Sequence, residues 1–185
     1  VWEQIKMGDM QAWLIQNGIL LCNQNPELPA LEDIGCTWRD AMELIDKHLV
    51  FYSKAYKKRT AYLSPEAYYL IKAIRPQRPV AGPARELYSV ILEHPGAAAA
   101  VLKSACAMES KDYRAGMDFL LQNLYVTAIA SGRELNENWS ELLYCTAGEW
   151  ERLAPAIVPA EDPKGRLWEL VGGVMTEKQF KSLIR

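Results

Sequence analysis

Apolar residues first recur at helical spacing just after Asp9. Met10, Trp13 and Leu14 share one face between Asp9, a good capping residue, and Gly18, a natural helix stop, which predicts a helix to about Asn17. An extended apolar run, 19–22, follows, and Asn25-Pro26 and Leu28-Pro29 mark an irregular connection. Trp38, Ala41, Met42 and Ile45 form the next helical stripe, opened by Thr37 with Asp40 placed to complete a capping box. The period then changes. Residues 49–54 and 60–63 are rich in β-formers and flank Ala55-Tyr56-Lys57-Lys58-Arg59, which predicts a β-hairpin with a basic tip. Ser64-Pro65-Glu66 opens a helix carrying Tyr68, Leu70, Ile71 and Ile74 and ending before Pro76.

Residues 76–83, with three prolines and one glycine, form the predicted linker. Beyond it a helix is expected over 84–93, with Leu87, Val90 and Ile91 inward, then a break at Pro95-Gly96. A short helix over 97–105 carries Val101 and Leu102. Ser110 is expected to cap a longer helix that buries Tyr113, Met117, Leu120 and Leu121 and exposes Lys111, Arg114 and Asp118. Strands over 124–130 and 142–146 flank a polar loop beginning Ser131-Gly132-Arg133, and a helix with Trp150 and Leu153 runs to Pro155. Val126 and Leu143 join the helical apolar residues in the expected core of this half. Two helical segments end the chain, the second opened by a Thr176/Gln179 capping box.

Helix, helix, helix, strand, loop, strand is the order of a winged helix, a helix-turn-helix followed by a β-hairpin. The expected fold is therefore α+β, mostly helical, with two winged-helix-like units. Residues 1–75 are the degenerate unit with the basic hairpin, 76–83 the linker, 84–154 the winged-helix domain and 155–185 a C-terminal helical extension.

Composition narrows the class. The chain has 185 residues, 50% hydrophobic and 24% charged, enough for one or two packed cores and contrary to wholesale disorder. No apolar run approaches the roughly 18–20 residues of a membrane span. Glu3, Lys6 and Asp9 interrupt any leader-like stretch, so no signal peptide and no membrane association are expected. Cys22, Cys36, Cys106 and Cys145 form no Cys-x-x-Cys pair, and His48 and His94 are the only histidines. Free, mostly buried thiols in a reducing cytoplasm are expected, with no metal and no other cofactor.

The net charge of −2 conceals three zones: residues 1–46 carry −6, residues 47–85 carry +8 and residues 86–185 carry −4. A basic block within an acidic chain concentrates polyanions, nucleic acid first among them. The alternative is intramolecular, with the basic middle facing the acidic ends. The candidate nucleic-acid-binding residues are Lys54, Lys57, Lys58, Arg59, Arg75, Arg78, Lys111, Arg114 and Arg133. Lys57-Lys58-Arg59, flanked by Tyr56 and Tyr62, has the chemistry of a phosphate clamp beside stacking surfaces. Lys111 and Arg114 are offset by Asp112 and Asp118, and Arg133 is followed by Glu134, Glu137 and Glu141. That balance suits a protein-docking module as the second reading, with Trp139 and Trp150 as its candidate anchors.

Three stretches also carry a family likeness: Thr37-Trp38-Arg39 through Tyr52-Ser53-Lys54, the run from Lys57-Lys58-Arg59 to Ser64-Pro65-Glu66, and the block 84–150. Over residues 37–154 the chain resembles the short AlkZ-related proteins, relatives of the AlkZ/YcaQ winged-helix DNA glycosylases. The resemblance implies tandem winged helices that form a concave face for duplex DNA in a bacterial cytoplasm. It also implies, for the glycosylases, a Gln-x-Gln or Gln-x-Asp motif that positions the attacking water. Here Gln4, Gln11, Gln16, Gln24, Gln77, Gln122 and Gln179 all lack Gln or Asp two positions later. Asn23 and Asn25 keep a polar-x-polar spacing near the place of the motif, but an amide cannot act as a general base. Gly-rich phosphate loops, Gly-x-Ser-x-Gly and His-Glu-x-x-His are absent as well. The expectation is a noncatalytic nucleic-acid-binding protein; a protein-interaction module and a glycosylase-related enzyme with an altered site are the alternatives.

Overall fold

Two three-stranded antiparallel sheets, each with its own helices, organise the chain in the computed structural model, which describes residues 8–137 and 139–185. Glu3 and Lys6 lie outside the described residues. The first half runs α1 (Met10–Asn17), β1 (Ile19–Leu21), a 3-10 turn (Leu31–Ile34), α2 (Trp38–Asp46), β2 (Phe51–Tyr56), β3 (Arg59–Leu63) and α3 (Pro65–Ile74). The second runs α4 (Pro83–Glu93), β4 (Ala97–Ala98), α5 (Ala99–Cys106), α6 (Ser110–Gln122), β5 (Val126–Asn136), β6 (Trp139–Thr146) and α7 (Ala147–Leu153). Helices α8 (Pro163–Val171) and α9 (Glu177–Leu183) follow. The fold is α+β, and no described helix is long and apolar enough to cross a membrane.

The sheet orders are β1-β3-β2 and β4-β6-β5. In each half the short strand after the first helix pairs with the return strand of the hairpin, so one connectivity occurs twice. Local chemistry explains the element ends. Asp9 Oδ1 accepts from the Ala12 N–H at 2.9 Å, and the Ser64 hydroxyl accepts from the Ala67 N–H at 3.1 Å. Gly18 closes α1 at φ 79°, and a Cβ there would lie 2.8 Å from Leu170 Cδ2. The α6 cap differs from expectation: Ser110 is the first helical residue and Glu109 precedes it without a side-chain bond.

Both hairpins extend further than their sequences suggest. Ala55 and Tyr56 stay in β2 and are buried, leaving Lys57-Lys58 as a two-residue turn closed by the Tyr56–Arg59 pair. Both lysines have left-handed backbones, at φ 49° and 59°. In the second hairpin the polar stretch after Ala130 remains paired out to Asn136 and Trp139, with irregular register.

Two hydrophobic cores result, and each draws on residues from both sides of the 76–83 segment. One joins Trp13, Leu14 and Ile45 to Leu87, Ile91 and Leu120. The other joins Phe51 and Tyr68 to Trp150, Leu167 and Val171. Phe51 stacks on Tyr68 with centroids 4.1 Å apart, and Trp150 meets both rings edge-on at 5.0 Å. Trp150 is fully buried and its indole N–H donates to the Val50 carbonyl at 3.1 Å, so it is core; Trp139 is half-buried. Of the expected second-half core, Leu87, Ile91, Leu102, Met117, Leu120, Leu121 and Val126 are buried, whereas Val90 and Leu143 are half-buried. Val101 is 56% exposed, because α5 turns only Leu102 and Cys106, four residues apart, inward.

The halves pack reciprocally. The helix that precedes each hairpin lies on the hairpin of the other half, α2 on β5 and α6 on β2. Thr127 donates its hydroxyl to the Tyr52 carbonyl at 2.9 Å between the two hairpins. Trp38 Nε1 donates to the Glu137 carbonyl at 3.2 Å, and Asp46 accepts from the Ser131 N–H at 2.6 Å.

Candidate nucleic-acid interface

The reciprocal packing brings the tip of the first hairpin over the outer face of α6. Lys58 there shares a shallow groove of about 430 Å³ with Lys111, Arg114, Asp118, Phe119 and Gln122. The α6 members recur at helical spacing on the face opposite Tyr113, Met117, Leu120 and Leu121, so burying one stripe presents the other. Gly116, on the buried face of α6, lets the start of α4 pack closely: a Cβ on it would lie 3.2 Å from the Ala84 backbone nitrogen. Lys58, Lys111 and Arg114 are exposed and have no carboxylate partner among the described residues. Asp118 is occupied by Lys54, whose Nζ lies 2.5 Å from Oδ1.

The other predicted residues are placed differently. Lys57 bonds Glu27, and Arg59 Nε lies 3.8 Å from the second oxygen of that carboxylate. The hydrogen bond to Glu27 raises the Lys57 ammonium above its ordinary value. Lys57 Nζ also sits 5.4 Å above the Tyr56 ring, but Tyr56 and Tyr62 are themselves fully buried. They are core residues and not the stacking surfaces expected beside the tip.

Arg75 turns inward. Its guanidinium donates to the carbonyls of Ala55 at 2.5 Å, Leu183 at 2.7 Å and Gln122 at 2.8 Å, tying β2, α6 and α9 together. Burial, with Arg78 nearby, brings its pKa down to about 10. Arg78 is exposed on the segment that follows, and Arg133 is exposed on β5, next to Glu134, which pairs with Arg39 at 3.4 Å. Lys47 and Lys72 are also paired, with Glu43 at 2.8 Å and Glu151 at 2.6 Å. Much of the basic block is thus neutralised within the chain. In this groove the free cations are one residue from the block, Lys58, and two from the acidic C-terminal zone, a juxtaposition that no local sequence signal carries.

Asn25 is a turn former. Its Oδ1 accepts from the Glu27 and Leu28 N–H groups, both at 2.9 Å, and its Nδ2 donates to the carbonyls of Asn23 at 3.0 Å and Leu28 at 3.1 Å. Among the described residues no three His, Cys, Asp or Glu side chains gather as a metal site. No family model, no curated protein and no solved structure matches the chain.

Proposed function

We propose that the chain is a noncatalytic nucleic-acid-binding protein of two winged-helix units, and that it contacts duplex DNA through Lys58, Lys111 and Arg114. The observation that carries this reading is the convergence of three unpaired cations from both halves on one groove. Helix α6 is the third helix of its unit, the element that enters the major groove in winged-helix docking, and Lys111 and Arg114 lie toward its N-terminus. The repeated connectivity supports two such units. Three cations make a small electrostatic site, so binding is expected to be modest and steeply salt-dependent. A slope of log affinity against log salt of about −2.7 corresponds to three phosphate contacts.

Anisotropy titrations of a labelled duplex at several salt concentrations test this, using the wild type and the triple variant K58Q/K111Q/R114Q. The variant is expected to lose most of the affinity and most of the slope. Equal affinity and slope for the two proteins would remove the groove from the binding face. Parallel titrations with single-stranded and abasic-site DNA rank the preferred nucleic-acid form.

A protein-interaction reading rests on a separate surface. Ile15 and Val158 are 67% and 89% exposed, and Ile157 joins two neighbouring apolar grooves beside α3.

A further inference from the structure

The segment between the halves is anchored and not slack. Arg75 is held at its start by three carbonyls from separate elements, and the Tyr125 hydroxyl donates to the Arg78 carbonyl. Residues 75–78 therefore form a fixed wall. Behind it lies a cleft of about 300 Å³ at the meeting of α3, this segment, α4, the end of α6 and α7. Such junctions are where preformed small-ligand sites commonly lie.

Three kinds of group line the cleft. Tyr88 and Tyr125 meet edge to face at 5.9 Å, and Phe119 backs Tyr125 at 6.4 Å in a nearly parallel stack. Glu151 Oε1 accepts from Tyr68 Oη at 2.9 Å and from Lys72 Nζ at 2.6 Å, which fixes the carboxylate and leaves Oε2 without a partner among the described residues. At the rim the Arg78 guanidinium is exposed and has no partner among the described residues.

We propose that this cleft binds a single nucleotide. Tyr88 supplies a face on which a planar base stacks, and stacking tolerates any base because every base has a π-face. Glu151 Oε2 accepts from a base N–H, and its second oxygen is already locked, so the acceptor is preorganised. Arg78 meets the phosphate as a fork of donors. The volume lies at the low end for small-ligand sites and has room for one nucleotide unit. The nucleotide comes either from free nucleoside monophosphate or from an unpaired position of a strand. Phe119 lines the α6 groove and stacks against Tyr125, which lines the cleft, so a strand held at the groove has a short path to it. The inference does not rest on DNA binding at that groove, because its free-nucleotide form needs none of Lys58, Lys111 or Arg114.

Calorimetric titration of AMP, GMP, CMP and UMP, and of a short single-stranded oligonucleotide, tests the proposal on the full chain. The proteins are the wild type, R78Q, Y88L and K58Q/K111Q/R114Q. R78Q alters an exposed side chain with no internal partner, so its folding is expected to be unchanged. Binding of a monophosphate that R78Q and Y88L each weaken about tenfold, and that the triple variant leaves unaltered, establishes the cleft as a mononucleotide site. Binding of the oligonucleotide alone, weakened by the same two substitutions, assigns the cleft to an unpaired nucleotide of a strand. No binding of either up to about 5 mM, or binding indifferent to both R78Q and Y88L, overturns the proposal.

Discussion

Lys54 of β2 and Asp118 of α6 meet at 2.5 Å across the boundary between the halves, with side chains only 26% and 32% exposed. The opposite contact has a counterpart in Asp46, which accepts from both the N–H and the hydroxyl of Ser131 on β5. Polar contacts thus fix the register of α2 and α6, each on the other half's hairpin. Removing one partner of a half-buried pair leaves the other charge poorly solvated.

Lys54→Met is accordingly expected to lower stability by about 1–2 kcal/mol in urea denaturation. Asp118→Asn relieves the groove of a negative charge and frees Lys54. If the groove binds duplex DNA, this variant binds more tightly than wild type while being less stable. Weaker binding by Asp118→Asn would contradict an electrostatic role for the groove.

Arg75→Lys tests the inward anchor. A lysine has one compact ammonium in place of a planar fork and cannot reach three carbonyls on three elements. A loss of about 2–4 kcal/mol is expected for leaving such acceptors and a buried charge unmatched. A urea midpoint equal to that of wild type would show that the three bonds are replaceable.

The turn of the first hairpin separates folding from binding. Lys57 and Lys58 both occupy the left-handed region, the type I′ arrangement that favours Asn-Gly. Replacing the two lysines by Asn-Gly is expected to raise stability by up to about 1 kcal/mol, by removing backbone strain. The same variant loses Lys58 and is expected to bind DNA less well. A destabilised hairpin variant would mean that the Lys57–Glu27 pair outweighs the strain.

The thiols and phenols make the fold sensitive to alkali. Burial pushes Cys36 up to about 11 and Cys145 up to about 12, and it raises Tyr52 and Tyr113 to about 12 each. In the unfolded chain these groups ionise near their ordinary values of about 8.5 and 10. The folded state therefore holds protons that the unfolded state has lost. Stability is complete below about pH 8.5 and falls as pH rises toward 12. Melting temperatures at pH 8, 9 and 10 should decline progressively, about in step with thiol and then phenol ionisation. At about pH 8, Cys36, Cys106 and Cys145, all buried, should resist a thiol reagent that half-buried Cys22 accepts slowly.

Base excision is not expected. Asn25 has both ends of its amide engaged in the turn over residues 23–28, so it is unavailable to orient an attacking water. Purified protein should release no base from duplexes carrying N7- or N3-alkylated purines. Time-dependent release, abolished by substituting Asn23 or Asn25, would assign the chain an enzymatic role.

The sequence by itself determined whatever depends on neighbours a few positions apart. Asp9, Ser64 and Thr176 cap helices because their side chains reach N–H groups three residues on. Gly18 stops α1 because it accepts a positive φ, and both hairpins follow from runs of β-formers around polar tips. Of the short strands, β1 matches the extended apolar run over 19–22, whereas β4, two residues long, carries too little pattern to be read. They exist because β3 and β6 offer them hydrogen bonds.

Only the tertiary structure decided which charges remain free. The +8 of residues 47–85 is a sum along the chain, whereas pairing depends on distance in space. Packing sank Arg75, matched Lys54 to Asp118 and Lys57 to Glu27, and buried Tyr56 and Tyr62. The same packing carried Lys58 to Lys111 and Arg114, since a two-residue turn on β2 and β3 lies over α6 only when the halves dock on each other's hairpins.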